Sequence, residues 1–153
     1  MRIPPRPERD PNHFVTVLLV SPLADDHEAL AEIFAHTNWR LTSALTIERA
    51  SAALRTGRHS LVICERRLLN GTWEDLLERT RNMPSQPLLI ITSLQPDNHL
   101  WAEALNLGAF DVLPKPFERQ EVVHVVSFAW LHWRNQRRQR EREMEALGRA
   151  ACG

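Results

Sequence analysis

The sequence predicts an α/β fold in which five parallel strands form a sheet with helices on both faces. Three observations predict it. Short apolar, β-branched runs recur along the 153-residue chain. Each is followed by a stretch with helical spacing of its apolar residues, and the links between them are short. Right-handed crossovers then leave few topologies.

The elements follow in order. Four prolines (Pro4, Pro5, Pro7, Pro11) exclude a helix or central strand at the start, so residues 1–13 are expected to be a flexible lead. Phe14 to Val20 reads as a strand buried on both faces, ended by Ser21-Pro22. Asp25 to His36 places Leu30, Ile33 and Phe34 on one helical face, with Asp25, Asp26 and Glu28 at the positive end of the dipole. Leu41 to Leu45 is a modest strand, Thr46 caps a helix to about Thr56, and Gly57 follows its end. Ser60 to Cys64 is a third strand, followed by an Asn70-Gly71 loop. Thr72 with Asp75 three residues on resembles a capping box. Leu88 to Thr92 is the fourth strand, residues 96–107 a helix stopped by Gly108, and Phe110 to Leu113 the fifth strand. A long helix starts near Glu118. Functional groups in such sheets collect at the carboxyl ends of the strands, here Ser21-Pro22, Glu65, Thr92-Ser93 and Lys115.

Composition excludes several classes. Nineteen basic residues balance nineteen acidic ones, so no overall charge draws the chain to nucleic acid or membrane. The apolar runs are too short to span a bilayer, and the Pro- and Arg-rich start lacks the apolar stretch of a secretory signal; a cytoplasmic location is expected. Cys64 and Cys152 make neither a disulfide framework nor a metal knuckle. The basic residues are eighteen arginines and one lysine, Lys115. Lysine offers a compact point charge on a flexible stem where arginine offers a planar fork.

Gly108-Ala109-Phe110-Asp111-Val112-Leu113-Pro114-Lys115-Pro116-Phe117 resembles the fifth strand of response-regulator receiver domains, the CheY-like family. Leu88-Leu89-Ile90-Ile91-Thr92-Ser93 resembles the fourth strand with its hydroxyl residue. Leu61-Val62-Ile63-Cys64-Glu65, Leu68 and Asn70-Gly71 resemble the third strand and the phosphoacceptor loop. The resemblance spans residues 14–133 and implies a flavodoxin-like sheet of order 2-1-3-4-5. Such receivers accept a phosphoryl group from a histidine kinase onto an aspartate after the third strand. Two acids after the first strand hold Mg²⁺, and a hydroxyl and a lysine contact the phosphoryl oxygens.

Carried over residue by residue, Thr92 matches the hydroxyl and Lys115 the lysine. Ser21 and Pro22 occupy the positions of the metal-holding acids, and Glu65 that of the phosphoacceptor. Leu69 stands where a proline is usual, and Val112 where a switch aromatic sits. The resemblance therefore implies a receiver scaffold with most of its phosphorylation chemistry removed. Asp25 and Asp26 lie a helical turn beyond the expected acids and are read as N-terminal helix acids rather than metal ligands. Glu65 is expected within reach of Lys115 and of Thr92, where a permanent carboxylate would hold an active-like arrangement without phosphate. The runner-up is a phosphorylatable regulator that uses Glu65, or a shifted Asp25 or Asp26, with Mg²⁺.

The seven histidines show no metal-ligand spacing and read as surface or half-buried imidazoles. Trp73 and Trp101 open helices near the pocket face and read as partner anchors or as shields of the sheet edge. In the last helix, Val122, Val126, Ala129 and Trp133 form the stripe that packs on the sheet. Phe128 and Trp130 widen it toward the face of the fourth helix, fifth strand and fifth helix, the dimer or partner surface that the resemblance implies. Residues 134–143 contain no apolar side chain, so a continued coiled coil is not expected. Residues 134–153 should instead project as an Arg-rich polar helix that frays before Gly148. That tail supports a third reading, a nucleic-acid-associated protein. The reading preferred is a non-enzymatic, single-domain regulator without cofactor in two-component signalling. Its partner would be a histidine kinase or a downstream regulator, with a homodimer possible through that face and no membrane contact.

Overall fold

In the computed structural model, residues 14–152 are described. The lead expected over residues 1–13 lies outside them. β1 (Thr16–Val20) is buried along its whole length, as its unbroken apolar run requires of a central strand. It pairs in parallel with β2 (Arg40–Ala44) on one side and β3 (Leu61–Glu65) on the other. β6 (Leu88–Ser93) adds to β3, and β7 (Asp111–Pro114) closes the far edge. A two-stranded antiparallel hairpin, β4 (Arg67–Leu68) with β5 (Gly71–Thr72), is inserted after β3, so the main order β2-β1-β3-β6-β7 is the expected 2-1-3-4-5.

Among the described residues, five helices flank the sheet: α1 (Ala24–Ala35), α2 (Ile47–Leu54), α3 (Trp73–Thr80), α4 (Asn98–Leu107) and α5 (Arg119–Cys152). The alternation of side chains along the strands divides the core in two. Leu18, Val20, Val62, Ile91 and Val112 meet α2, α3 and α4 on one face. Val17, Leu19, Ile63, Ile90 and Leu113 meet α1 and α5 on the other. Trp73 is fully buried in the first of these cores, so it neither anchors a partner nor shields an edge. Trp101 is exposed.

Local chemistry sets the helix ends. The Thr46 hydroxyl accepts from the Arg49 N–H at 3.2 Å, and the Asp97 carboxylate accepts from the Leu100 N–H at 2.8 Å. Asp75 Oδ2 accepts from the Thr72 N–H at 2.9 Å, as the capping-box spacing predicted. Gly108 ends α4 at φ +98°, a left-handed conformation that glycine adopts without a Cβ clash. Gly71 answers a different need: a Cβ there would lie 2.5 Å from Asp75 Oδ2 and 2.9 Å from Ile47 Cδ1.

The polar tail departs from expectation. α5 is one helix of 34 residues through Cys152, with no break before Gly148. Residues 134–147 are almost entirely strong helix formers (Arg, Gln, Glu, Met, Ala, Leu), and Arg137 pairs with Glu141 at 3.5 Å. The glycine costs about 1 kcal/mol and does not stop the helix.

Candidate functional site

The carboxyl ends of β1, β3, β6 and β7 bring Ser21, Glu65, Thr92 and Lys115 together, as their order along the chain predicted. Parallel register sets Glu65 beside Thr92, and the Lys115 N–H donates to the Ser93 carbonyl at 2.9 Å. Pro22 is half-buried in the link from β1 to α1.

Lys115 is 8% exposed, and its ammonium meets two carboxylates. Glu65 Oε2 lies 2.6 Å from Nζ, and Asp26 presents Oδ1 at 3.1 Å and Oδ2 at 3.0 Å. The Ser21 hydroxyl donates to Asp26 Oδ2 at 2.7 Å and accepts from the Leu23 N–H at 3.1 Å. His27 Nε2 sits 2.8 Å from the Ser21 carbonyl, which fixes Nε2 as the protonated nitrogen. Ser21 thus takes a structural role at a position where the resemblance implies a metal-holding acid.

Asp26 corrects the sequence reading. It does stand in the first turn of α1, but it is 6% exposed and points back into the pocket. Its neighbour Asp25 is exposed and keeps the role of a helix-end acid. The signal for Asp26 lay in its context: a lone lysine, with no carboxylate at positions 21 and 22, requires acids from elsewhere when buried. Helical spacing alone did not tell which of two adjacent aspartates faces inward.

Burial works against the charge of Lys115, but its hydrogen bonds to Glu65 and Asp26 outweigh it and hold the ammonium above the ordinary lysine range. For Glu65, burial is the largest influence and pushes the carboxyl up; Lys115 opposes this only in part. The expected contact of Glu65 with Thr92 is not made: the Thr92 hydroxyl is buried and has no hydrogen-bond partner. The carboxylate is drawn to the full charge of Lys115 rather than to a neutral donor.

The donor set does not fit the Mg²⁺ that the resemblance implies. Ser21 and Pro22 offer no carboxylate, and both oxygens of Asp26 and one of Glu65 already face an ammonium. Among the described residues, no three His, Cys, Asp or Glu side chains gather in a way that could hold a metal ion. An octahedral oxygen cage would have to displace Lys115 first.

Val112 is buried in the α2–α3–α4 core. At the position of a switch aromatic it offers a short, β-branched side chain with little rotamer freedom. On α5, Phe128 is 62% exposed, and its ring lies 5.7 Å from that of His124. Trp130, expected to widen the stripe together with Phe128, is less open than Phe128. It is half-buried, packs on the α1–α5 core, and carries the Arg134 guanidinium 5.2 Å above its ring. No helix among the described residues is long and apolar enough to cross a membrane.

Comparison with known proteins agrees with this architecture. The response regulator receiver domain family matches residues 17–127. The chain is similar to the transcriptional regulatory protein CrdR of Helicobacter pylori, 31% identical over 105 residues that make up 65% of this chain and 49% of CrdR. It is also similar to TcrX of Mycobacterium tuberculosis, described as a probable transcriptional regulatory protein, 32% identical over 71% of this chain and 47% of TcrX. The chain thus spans about half the length of these curated relatives. The signal receiver domain of an HD domain-containing protein from Pseudomonas fluorescens Pf-5 shares the fold at a TM-score of 0.74 and 24% identity, covering 90% of this chain and 98% of that one. With a sheet of the receiver order, the lysine at the end of its last strand and a family match over most of its length, the chain belongs to the response regulator receiver domain family of two-component signalling.

Proposed function

We propose that this receiver is a pseudo-receiver: a non-enzymatic regulator, without a cofactor, that acts in the cytoplasm by protein–protein contact and is held in one state by Glu65, Lys115 and Asp26. The observation that carries this reading is the saturation of Lys115. The ammonium that would meet a phosphoryl oxygen is already held by two carboxylates, at 2.6 Å and 3.0 Å. A dianionic group arriving beside Glu65 and Asp26 would meet two negative charges and a neutralised lysine. The buried valine at position 112 also supports a fixed state.

The contact role draws support from the surface. Phe128 is open on α5, and Leu23, Leu45, Leu69 and Leu94 stand exposed in the loops at the carboxyl end of the sheet. Partners of this kind are a histidine kinase or a downstream regulator. The runner-up, phosphorylation on Glu65 or through Asp25 or Asp26, draws on one observation of its own: the unpartnered Thr92 hydroxyl is a donor awaiting an acceptor.

Acetyl phosphate, and separately beryllofluoride with Mg²⁺, distinguishes the two. The pseudo-receiver gives no saturable change in the fluorescence of its tryptophans or in amide chemical shifts around Glu65 and Thr92. A saturable, metal-dependent response lost in Glu65→Gln supports the runner-up and overturns the proposal.

A further inference from the structure

The line of α5 side chains that packs on the sheet extends past the body of the protein, with arginine at positions 137 and 140 and apolar residues again from Met144. Val126, Ala129 and Trp133 pack it against the sheet. After a second step of four at Trp133, an alternation of three and four runs on from Arg137 through Arg140, Met144, Leu147 and Ala151. Beyond Trp133 the seam borders a groove of about 440 Å³ between α5 and residues 84–86. Trp133, Arg137, Arg140 and Met144 line its helix side and Pro84 the other. Met144 is 73% exposed and Leu147 69% exposed, although both lie on this line.

Two features of the seam indicate what covers it. The first is its symmetry. Reversed about Arg142, the seam superposes on itself: Trp133 faces position 151, Arg137 position 147, and Arg140 position 144. The second is charge. Residues 134–140 carry Arg134, Arg137, Arg138 and Arg140 and no acid, whereas residues 141–147 carry Glu141, Glu143 and Glu145 against Arg142 alone. Parallel pairing in register would set arginine against arginine along the first half. Antiparallel pairing sets the basic half against the acidic half. Arg137 is suited to such a seam, because its guanidinium lies 5.3 Å over the Trp133 ring and 3.5 Å from Glu141, which leaves its aliphatic stem along the helix.

We propose that the α5 extension is a dimerisation helix that pairs antiparallel with the same helix of a second copy, whose Leu147 and Ala151 enter the groove beside Trp133. The interface is isologous and closes on a two-fold axis near Arg142. It is separate from the Glu65–Lys115 site and does not depend on how that site works.

Sedimentation velocity of the whole chain tests the association. The expected result is a concentration-dependent monomer–dimer equilibrium that weakens with salt, as charge pairing requires. The double substitution Met144→Arg with Leu147→Arg, at two exposed positions, removes the apolar contacts and sets like charge against Arg140 and Arg137 of the second copy, and should raise the dimer Kd by about tenfold or more while circular dichroism stays unchanged. Orientation is read from a spin label at Ala150→Cys in a Cys152→Ser background, Cys64 being buried. Antiparallel pairing separates the labelled backbones by about 25 Å, parallel pairing by about 10 Å. A monomer at every concentration, a dimer indifferent to the double substitution, or the short label distance each overturns the proposal. So does saturable binding of generic duplex DNA by the tail of a monomer, which would assign the arginines to phosphate.

Discussion

Replacing Lys115 by methionine removes the one positive charge that, among the described residues, pairs with Glu65 and Asp26 in the pocket, while keeping most of its stem. Two carboxylates that were paired at 2.6 Å and 3.0 Å are then left together with little water. Removing one partner of a buried ion pair costs about 3–5 kcal/mol. Glu65 retains some contact with solvent, so the lower end applies, about 3 kcal/mol at pH 8. That corresponds to a fall in Tm of about 6–12 °C for a domain of this size. The loss has a definite pH dependence. Burial and Asp26 both raise the Glu65 pKa, and the opposing pull of Lys115 is gone in the variant. A folded-state pKa raised above the unfolded value means that the native state binds the extra proton. Stability is therefore greatest where Glu65 is protonated and falls as pH rises from about 4.3 through the folded value. Urea denaturation at pH 5 and pH 8 should show a smaller difference from wild type at the lower pH. Adding Glu65→Gln to the variant should recover a substantial part of the loss at pH 8. A Lys115→Met protein within about 0.5 kcal/mol of wild type at pH 8, or one equally destabilised at both pH values, refutes the view that the ammonium neutralises a buried carboxylate pair.

Thr92→Val replaces a buried hydroxyl without a partner by a methyl group of the same shape, so stability should rise by about 0.5–1 kcal/mol in denaturant titrations; a loss of that size would show that the hydroxyl is satisfied. His59 is buried, with Arg40 and Arg58 nearby, and all three influences lower its pKa. A depressed folded-state pKa contributes stability that is present above about pH 6.5 and lost as pH falls through the folded value. The slope of stability between pH 7 and pH 5 should accordingly flatten in His59→Gln. Gly108→Ala introduces a Cβ at φ +98° where no atom crowds it, so its cost is conformational, about 1–2 kcal/mol, read as a lower denaturation midpoint with an unchanged m-value.

Much of the fold was legible because strand and helix periods differ and the caps carry chemistry. Thr46, Asp75 and Gly108 marked helix ends that the structure places within a residue or two of expectation. The pocket was legible in part, since a parallel sheet gathers whatever follows its strands. Asp26 was misjudged because two adjacent aspartates at a helix start look alike in one dimension, and only the crossover from β1 to α1 decides which one turns inward. Trp130, read as widening the stripe, is half-buried because a side chain beside the stripe still reaches the core. The projecting polar helix was legible, but its persistence past Gly148 was not: fraying was expected ahead of that glycine, whereas one glycine costs only about 1 kcal/mol and the arginines, glutamates and glutamines before it favour helix.

The hairpin of β4 and β5 gives Glu65 an unyielding neighbourhood. Because Gly71 lets the turn sit against Asp75 and Ile47, the segment after β3, the start of α3 and the start of α2 are clamped into one block. A protein that docked on this end of the sheet would meet a surface already in shape and spend little of its affinity on ordering it. A broader turn with a side chain at position 71 would loosen that block before it disturbed the charges beneath.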